Sequence, residues 1–186
     1  MVSQIETPTL SSISKTSLTS NRHHLPAIEG LVQVFTCAHR SFFTGVMSQA
    51  LRIAGQGTPV LIVQFLKGGI LQGHHHPVCL GQHLQWLRCN LPRCIHSPAV
   101  DATEREALMQ LWQYTQQVVF EGQYALVVLD ELSLAIDFGL IPEAEVLNFL
   151  HQRPRNVDII LTGPEMPAAL LAVADQITEI RRSHRP

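Results

Sequence analysis

The sequence predicts an α/β fold with a mostly parallel sheet, because apolar strand-like runs alternate with segments of helical periodicity. Four apolar runs rich in Val, Ile and Leu have the length of buried strands, at residues 30–36, 59–66, 124–129 and 157–161. Apolar residues at helical spacing follow the first run, and a longer helical segment begins at Asp101. Strands that alternate with helices in this way usually form a parallel sheet covered on both faces.

Composition and charge restrict the function classes that fit this chain. With 186 residues, 46% of them hydrophobic and 15% charged, the chain has the size and apolar content of one α/β domain. A net charge of −2 gives no electrostatic basis for binding nucleic acid or an acidic membrane surface. The apolar runs are shorter than the about 18 residues of a membrane span, and the N-terminus lacks the apolar core of a signal peptide. These features predict a cytoplasmic protein whose cysteines are free thiols, with neither a nucleic-acid nor a membrane partner.

Two parts of different character are predicted along the chain. Residues 1–28 are rich in Ser and Thr with only scattered apolar positions, which predicts a disordered tail or one that becomes ordered on a partner. Residues 29–186 contain all the predicted strands and helices, and we interpret them as one α/β domain.

The first two strands and the helix between them, which has its apolar residues within 43–54, form a β-α-β unit. In such a unit a ligand normally lies at the strand-to-helix turn, where backbone N–H groups at the start of the helix are free. The turn here consists of Cys37, Ala38, His39, Arg40, Ser41, Phe42, Phe43 and Thr44. It lies where a phosphate-binding loop is expected, but its residues differ from those of such a loop.

Residues 70–100 are rich in His and Cys. We predict one short strand at residues 84–89, with loop on either side of it. The candidate metal ligands in this region are His74, His76, Cys79, Cys89 and Cys94. Because their spacing matches no zinc module, a surface loop with incidental histidines is the favoured interpretation, and a specific metal site is the alternative.

The segment from residue 101 to residue 138 joins a predicted helix to a strand that ends in two acidic residues. Asp101 and Glu104 have the spacing of a capping box, which predicts a helix to about residue 122. Asp130 and Glu131 directly follow the apolar run at residues 124–129, which is the pattern of a Walker B strand. An aspartate in this position can hold Mg²⁺ beside a phosphate group. The alternative is that both carboxylates only orient a helix at residues 132–138.

The last part of the chain continues the alternation. Pro142 is expected at the first position of a helix that runs to residue 151. The strand at residues 157–161 follows, and a short helix at residues 167–174 and a strand at residues 176–181 complete the predicted fold.

Taken together, these elements resemble the P-loop ATP:corrinoid adenosyltransferase family from residue 30 to about residue 179. The matching stretches are LVQVFT, ALRIAGQG, VLIVQFLKGG, LVVLDELSLAIDFGL, RPRNVDIILTGP and ADQITEI. The resemblance implies a three-layer P-loop NTPase-like fold and a homodimer. It also implies ATP, Mg²⁺ and a corrinoid as ligands, with transfer of the 5′-deoxyadenosyl group of ATP to reduced cobalt.

Several family features are replaced in this chain. The family's loop reads roughly G-x-G-K-G-K-T-T, and its three glycine positions hold Cys37, His39 and Ser41. Glycines allow successive N–H groups to converge on a phosphate, and a Cβ atom disfavours that backbone conformation. The family's aromatic corrinoid segment has no counterpart at residues 86–94, and the arginine expected after the glycine of Thr162-Gly163-Pro164 is missing.

The charged and hydroxyl positions of the loop have changed as well. Arg40 lies at the first lysine position, Phe42 at the essential lysine and Phe43 at the Mg²⁺-binding hydroxyl, whereas Thr44 is kept. Each lost charge-assisted hydrogen bond is worth about 1.5–3 kcal/mol, so we expect triphosphate binding to be weakened by about a thousandfold or more. Phe42 and Phe43 are expected either to fill the vacated phosphate pocket as core or to form an exposed apolar patch that recruits a protein.

The sequence therefore supports three hypotheses about function. The first is a divergent family member with a degenerate phosphate loop, impaired ATP binding and lost catalysis, which acts as a binding or regulatory protein. The second is an active adenosyltransferase that uses Arg40, Thr44, Asp130 and Glu131 with ATP, Mg²⁺ and a corrinoid. The third is a metal- or redox-responsive module built on residues 74–96.

Overall fold

A computed structural model describes residues 29–69 and 73–181. The predicted tail at residues 1–28 therefore lies outside the described residues. The strands are β1 (Val32–Cys37), β2 (Val60–Gly68), β3 (Val78–Leu80), β4 (Leu84–Cys89), β5 (Leu126–Asp130), β6 (Asp158–Pro164) and β7 (Gln176–Ile180). The helices are α1 (Thr44–Gly55), α2 (Ala102–Phe120), α3 (Leu132–Asp137), α4 (Glu143–Gln152) and α5 (Ala168–Ala172).

All seven strands form one sheet in the order β3-β4-β2-β5-β6-β1-β7. Every pairing is parallel except that of β3 with β4, which is antiparallel. The predicted α/β class with a mostly parallel sheet is confirmed. Because β1, β5 and β6 are parallel neighbours, their carboxyl ends meet at one edge of the sheet.

The sheet separates two apolar layers. The larger layer packs the sheet against α2, α3, α4 and α5 and includes the fully buried Trp112. The smaller layer packs the other face against α1, through residues such as Val46 and Ala50. This arrangement has the three layers that the resemblance implies. Among the described residues, no helix is long and apolar enough to cross a membrane.

The boundary signals of the helices have mixed outcomes. The capping box is confirmed: the Asp101 carboxylate accepts a hydrogen bond from the Glu104 N–H at 2.8 Å, and the Glu104 carboxylate accepts one from the Asp101 N–H at 3.0 Å. Pro142 is the N-cap of α4 and not its first helical residue, with an extended ψ of 129°. The prediction was wrong by one position, which is the usual uncertainty at helix ends.

The region rich in His and Cys contains one more strand than predicted. The strand predicted at residues 84–89 is confirmed as β4, whereas residues 78–80 were predicted as loop and form β3. All three residues of β3 are exposed, so no alternation of apolar and polar residues marked it in the sequence. Its backbone hydrogen bonds to β4 define it, and these depend on pairing across a turn.

Candidate functional site

The residues of the candidate site come from four separate parts of the chain. The loop at residues 37–43 follows β1, Asp130 ends β5, and Thr162 lies beside it on β6. Lys67 lies near the carboxyl end of β2. This is the carboxyl edge of a parallel sheet, where open α/β proteins normally bind their ligands.

Asp130 is completely buried and has its carboxylate oxygens bonded within the protein. One oxygen, Oδ2, accepts hydrogen bonds from the Gln64 amide at 2.7 Å and from the Lys67 ammonium at 2.8 Å. The other, Oδ1, accepts the Thr162 hydroxyl at 2.8 Å. The chain's own lysine is therefore in direct contact with this carboxylate.

Glu131 has a partner of the same kind. It is 3% exposed, and its two carboxylate oxygens accept a bidentate pair of hydrogen bonds from Arg40, one from Nε at 2.6 Å and one from Nη2 at 2.7 Å. The remaining nitrogen, Nη1, donates to the Ile95 carbonyl at 2.8 Å and lies 2.9 Å from His96 Nδ1. The hydrogen bond to Glu131 is the main cause that raises the pKa of Arg40 further above its ordinary value. All three guanidinium nitrogens of Arg40 are thus used inside the protein.

The backbone at Glu131 supports this arrangement. Its φ of 59° lies in the left-handed region, which a residue with a side chain seldom adopts. The Glu131 N–H donates to the Thr162 hydroxyl at 3.0 Å, and that hydroxyl in turn donates to Asp130. Thr162 is therefore hydrogen-bonded to both acidic residues. A left-handed backbone conformation such as that of Glu131 is frequent at functional sites.

The two adjacent phenylalanines of the loop have different environments. Phe43 is 3% exposed and belongs to the smaller apolar layer, packed with α1. Phe42 is 52% exposed, and the Lys67 ammonium lies 4.7 Å from the centre of its ring. Each of the two expectations for this pair therefore holds for one residue, core for Phe43 and exposure for Phe42.

A cavity of about 480 Å³ adjoins the loop, lined by residues 37–43 and 179–181. The Cys37 thiol donates to the His39 carbonyl at 2.8 Å within the loop. On the opposite wall, at the end of β7, Arg181 and Glu179 form an ion pair at 2.8 Å. The strand-to-helix turn thus still borders an open space of ligand size.

Sequence reasoning missed Lys67 and the wall formed by residues 179–181. Lys67 directly follows the apolar run at residues 59–66, and that position near the carboxyl end of β2 was the available signal. Residues 179–181 gave no such signal, because their place at the cavity depends on β7 pairing beside β1.

The candidate metal ligands are distributed over different environments. Cys79, Cys94 and His76 are exposed, whereas the His74 ring lies against Tyr114 with 5.2 Å between the ring centres. Cys89 is buried, and burial raises the pKa of its thiol to about 12, which disfavours the thiolate that a metal requires. Across residues 29–69 and 73–181, no three His, Cys, Asp or Glu side chains are grouped so that they could hold a metal ion. This arrangement gives the metal hypothesis no support.

Comparison with known proteins gives the same family as the sequence motifs. The model of the family described as ATP:corrinoid adenosyltransferase BtuR/CobO/CobP matches residues 28–186. The corrinoid adenosyltransferase of Escherichia coli K12 is 26% identical over 152 residues, which cover 82% of this chain and 76% of the relative. The corrinoid adenosyltransferase CobA of Salmonella typhimurium is 28% identical over 159 residues, with the same shares covered. The uncharacterized protein all2391 of Nostoc is 29% identical over 161 residues, which cover 76% of this chain but 41% of that protein. With a family match over nearly its whole length, this chain belongs to the ATP:corrinoid adenosyltransferase family.

Proposed function

We propose that this chain is a family member that no longer binds Mg–ATP tightly, has lost adenosyl transfer, and acts as a binding or regulatory protein. One observation carries the proposal. The two carboxylates at the Walker B position each pair with a cation of the same chain, Asp130 with Lys67 and Glu131 with Arg40.

These ion pairs oppose the binding of Mg²⁺. The ion takes carboxylate oxygens as ligands, directly or through water, and a neighbouring ammonium group repels it. Both acidic groups are buried, so a charge that lost its partner would remain poorly solvated. Breaking a buried pair by removing one partner typically costs about 3–5 kcal/mol. Asp130 and Glu131 therefore bind Lys67 and Arg40 of the same chain in place of a Mg²⁺ ion.

The loop also has few side chains that are available to bind a phosphate group. Phe42 replaces the lysine that would reach the phosphates, and it can donate no hydrogen bond. Arg40, the one cation within the loop, is held by Glu131 and the Ile95 carbonyl. The loop therefore offers a triphosphate few of the charge-assisted hydrogen bonds on which its binding depends.

The second candidate function is an active adenosyltransferase with a non-standard loop. The open cavity beside the loop favours it, because a ligand would find space at the usual position. In this case Arg40 and Lys67 would leave their carboxylates and turn toward the phosphates when Mg–ATP binds. The homodimer implied by the family, and a protein partner for the exposed Phe42, stay predictions.

The deciding experiment is calorimetry with Mg–ATP on the wild-type chain, with the E. coli relative as positive control. We expect no measurable binding up to millimolar ATP, and no adenosylated corrinoid when ATP, Mg²⁺ and a reduced corrinoid are supplied. Binding at micromolar concentrations, or turnover in the corrinoid assay, would disprove the proposal and favour the active enzyme.

A further inference from the structure

The charges around the loop cavity are balanced by neighbours. Three cations at the cavity or beside it each have a carboxylate partner at 2.8 Å or less, in the pairs Arg40–Glu131, Lys67–Asp130 and Arg181–Glu179. Binding of a phosphorylated ligand relies on positive charge that is available to it. Each pair has a net charge of zero, so these three cations add little net positive charge to attract a phosphate group.

The walls of the cavity instead offer apolar surface. Phe42 is 52% exposed and Ile180 is 44% exposed, and both line the cavity. The Lys67 ammonium lies over the Phe42 ring, a cation–π contact that holds the ring in place. A volume of about 480 Å³ is within the range of sites that bury a small organic molecule. A planar ligand stacked on Phe42 would cover this exposed surface.

One polar pair at the rim can select among planar ligands. Arg181 donates from Nε and Nη2 to the two oxygens of Glu179, at 2.9 and 2.8 Å. Both side chains are largely solvent-exposed, so rearranging them costs little. A carboxylate acceptor beside guanidinium donors matches a ring edge that has an N–H group next to a ring nitrogen or a carbonyl.

We infer that the cavity between the loop and β7 binds an uncharged aromatic heterocycle that has no phosphate group. The ring stacks on Phe42 and contacts Ile180, and its polar edge faces Glu179 and Arg181. The inference rests on the proposed loss of Mg–ATP binding, because a functional phosphate site would fill the same space.

Two matched ligand pairs test this inference by calorimetry: adenosine with Mg–ATP, and riboflavin with its 5′-phosphate. Within each pair the ring system is the same and the phosphate content differs. We expect adenosine or riboflavin to bind, its phosphorylated counterpart to bind more weakly, and Mg–ATP to show no measurable binding up to millimolar concentration. The variant Phe42→Ala should weaken binding by about tenfold, which is the usual effect of removing a stacking ring.

Phe120→Ala is the matched control. Phe120 is 42% exposed on α2 and does not line the cavity, so its removal should leave ligand binding unchanged. Melting temperatures of both variants show that they are folded. If Mg–ATP does not bind and neither uncharged ligand binds, or if Phe42→Ala binds the ligand as tightly as the wild type, the inference is wrong while the proposed function stands. If Mg–ATP binds at least tenfold more tightly than adenosine, both fail together.

Discussion

Phe42 and Phe43 are neighbours in the chain, but one is exposed and the other is buried. Phe43 is the residue before α1, and its ring packs into the layer beneath that helix. Phe42 lies one position earlier, at the rim of the cavity, with the Lys67 ammonium over its ring. A core ring stabilises the fold, whereas an exposed ring at a cavity is available for a ligand.

Alanine substitution should separate these two environments. We expect Phe43→Ala to lower the free energy of unfolding by about 3 kcal/mol, because it leaves a cavity in a packed layer. Phe42→Ala should cost less than about 1 kcal/mol, since it removes one cation–π contact and little buried area. Urea denaturation of both variants measures the difference, and equal losses would contradict the assigned environments.

At the scale of single elements, α2 has the most complete boundary signal. Its N-terminus has both hydrogen bonds of the capping box, and the Glu104 carboxylate is also bound by the Arg93 guanidinium at 2.5 and 2.6 Å. The hydrogen bonds from Arg93 are the main cause that lowers the pKa of Glu104. The start of α2 is thereby tied to the segment that follows β4.

Removing the cap should have a moderate effect. We expect Asp101→Ala to lower the free energy of unfolding by about 1 kcal/mol, because the Glu104 N–H loses its acceptor. Glu106→Ala, on the exposed side of the same helix, is the control and should change stability by less than about 0.5 kcal/mol. Thermal denaturation followed by circular dichroism compares the two, and a result in which both variants match the wild type would show that the cap adds nothing.

At the scale of the whole molecule, one polar network connects three strands with the loop. Asp130 on β5 bonds to side chains of β2 and β6, and Glu131 holds the loop through Arg40. The arrangement of the site is therefore held by contacts between elements and not by the loop sequence alone. Through the Arg40–Glu131 pair, this network links the loop to the two carboxylates at the end of β5.

Breaking the network should cost more than breaking a surface ion pair. Lys67→Met leaves the buried Asp130 charge without its cation, and we expect a loss of about 3 kcal/mol in the free energy of unfolding. Arg155→Met also removes one cation, but from a solvent-exposed pair with Glu29 at 3.4 Å, and should cost less than about 0.5 kcal/mol. Chemical denaturation at neutral pH tests the comparison. Similar losses for the two variants would mean that the buried Lys67–Asp130 pair stabilises the fold no more than a surface ion pair does.

Much of the fold could be predicted because its signals are local. The buried runs that became β1, β2, β5 and β6 are continuous in sequence, and the cap of α2 lies within four residues. The exposed strand β3 could not be predicted, because its residues have no buried face and only pairing with β4 defines it. A cavity does adjoin the turn after β1, where the sequence predicts a ligand site, but its far wall at residues 179–181 depends on strand order.

The sequence by itself determined the α/β class, the family and a loop at residues 37–43 without glycine or lysine, since these follow from neighbouring residues and their order. Only the tertiary structure decided how the remaining charges are used. Arg40 and Glu131 are 91 positions apart, and Lys67 and Asp130 are 63 positions apart. No local pattern specifies such pairs, because they form when the sheet brings distant strand ends together, and burial then makes each charge depend on its partner.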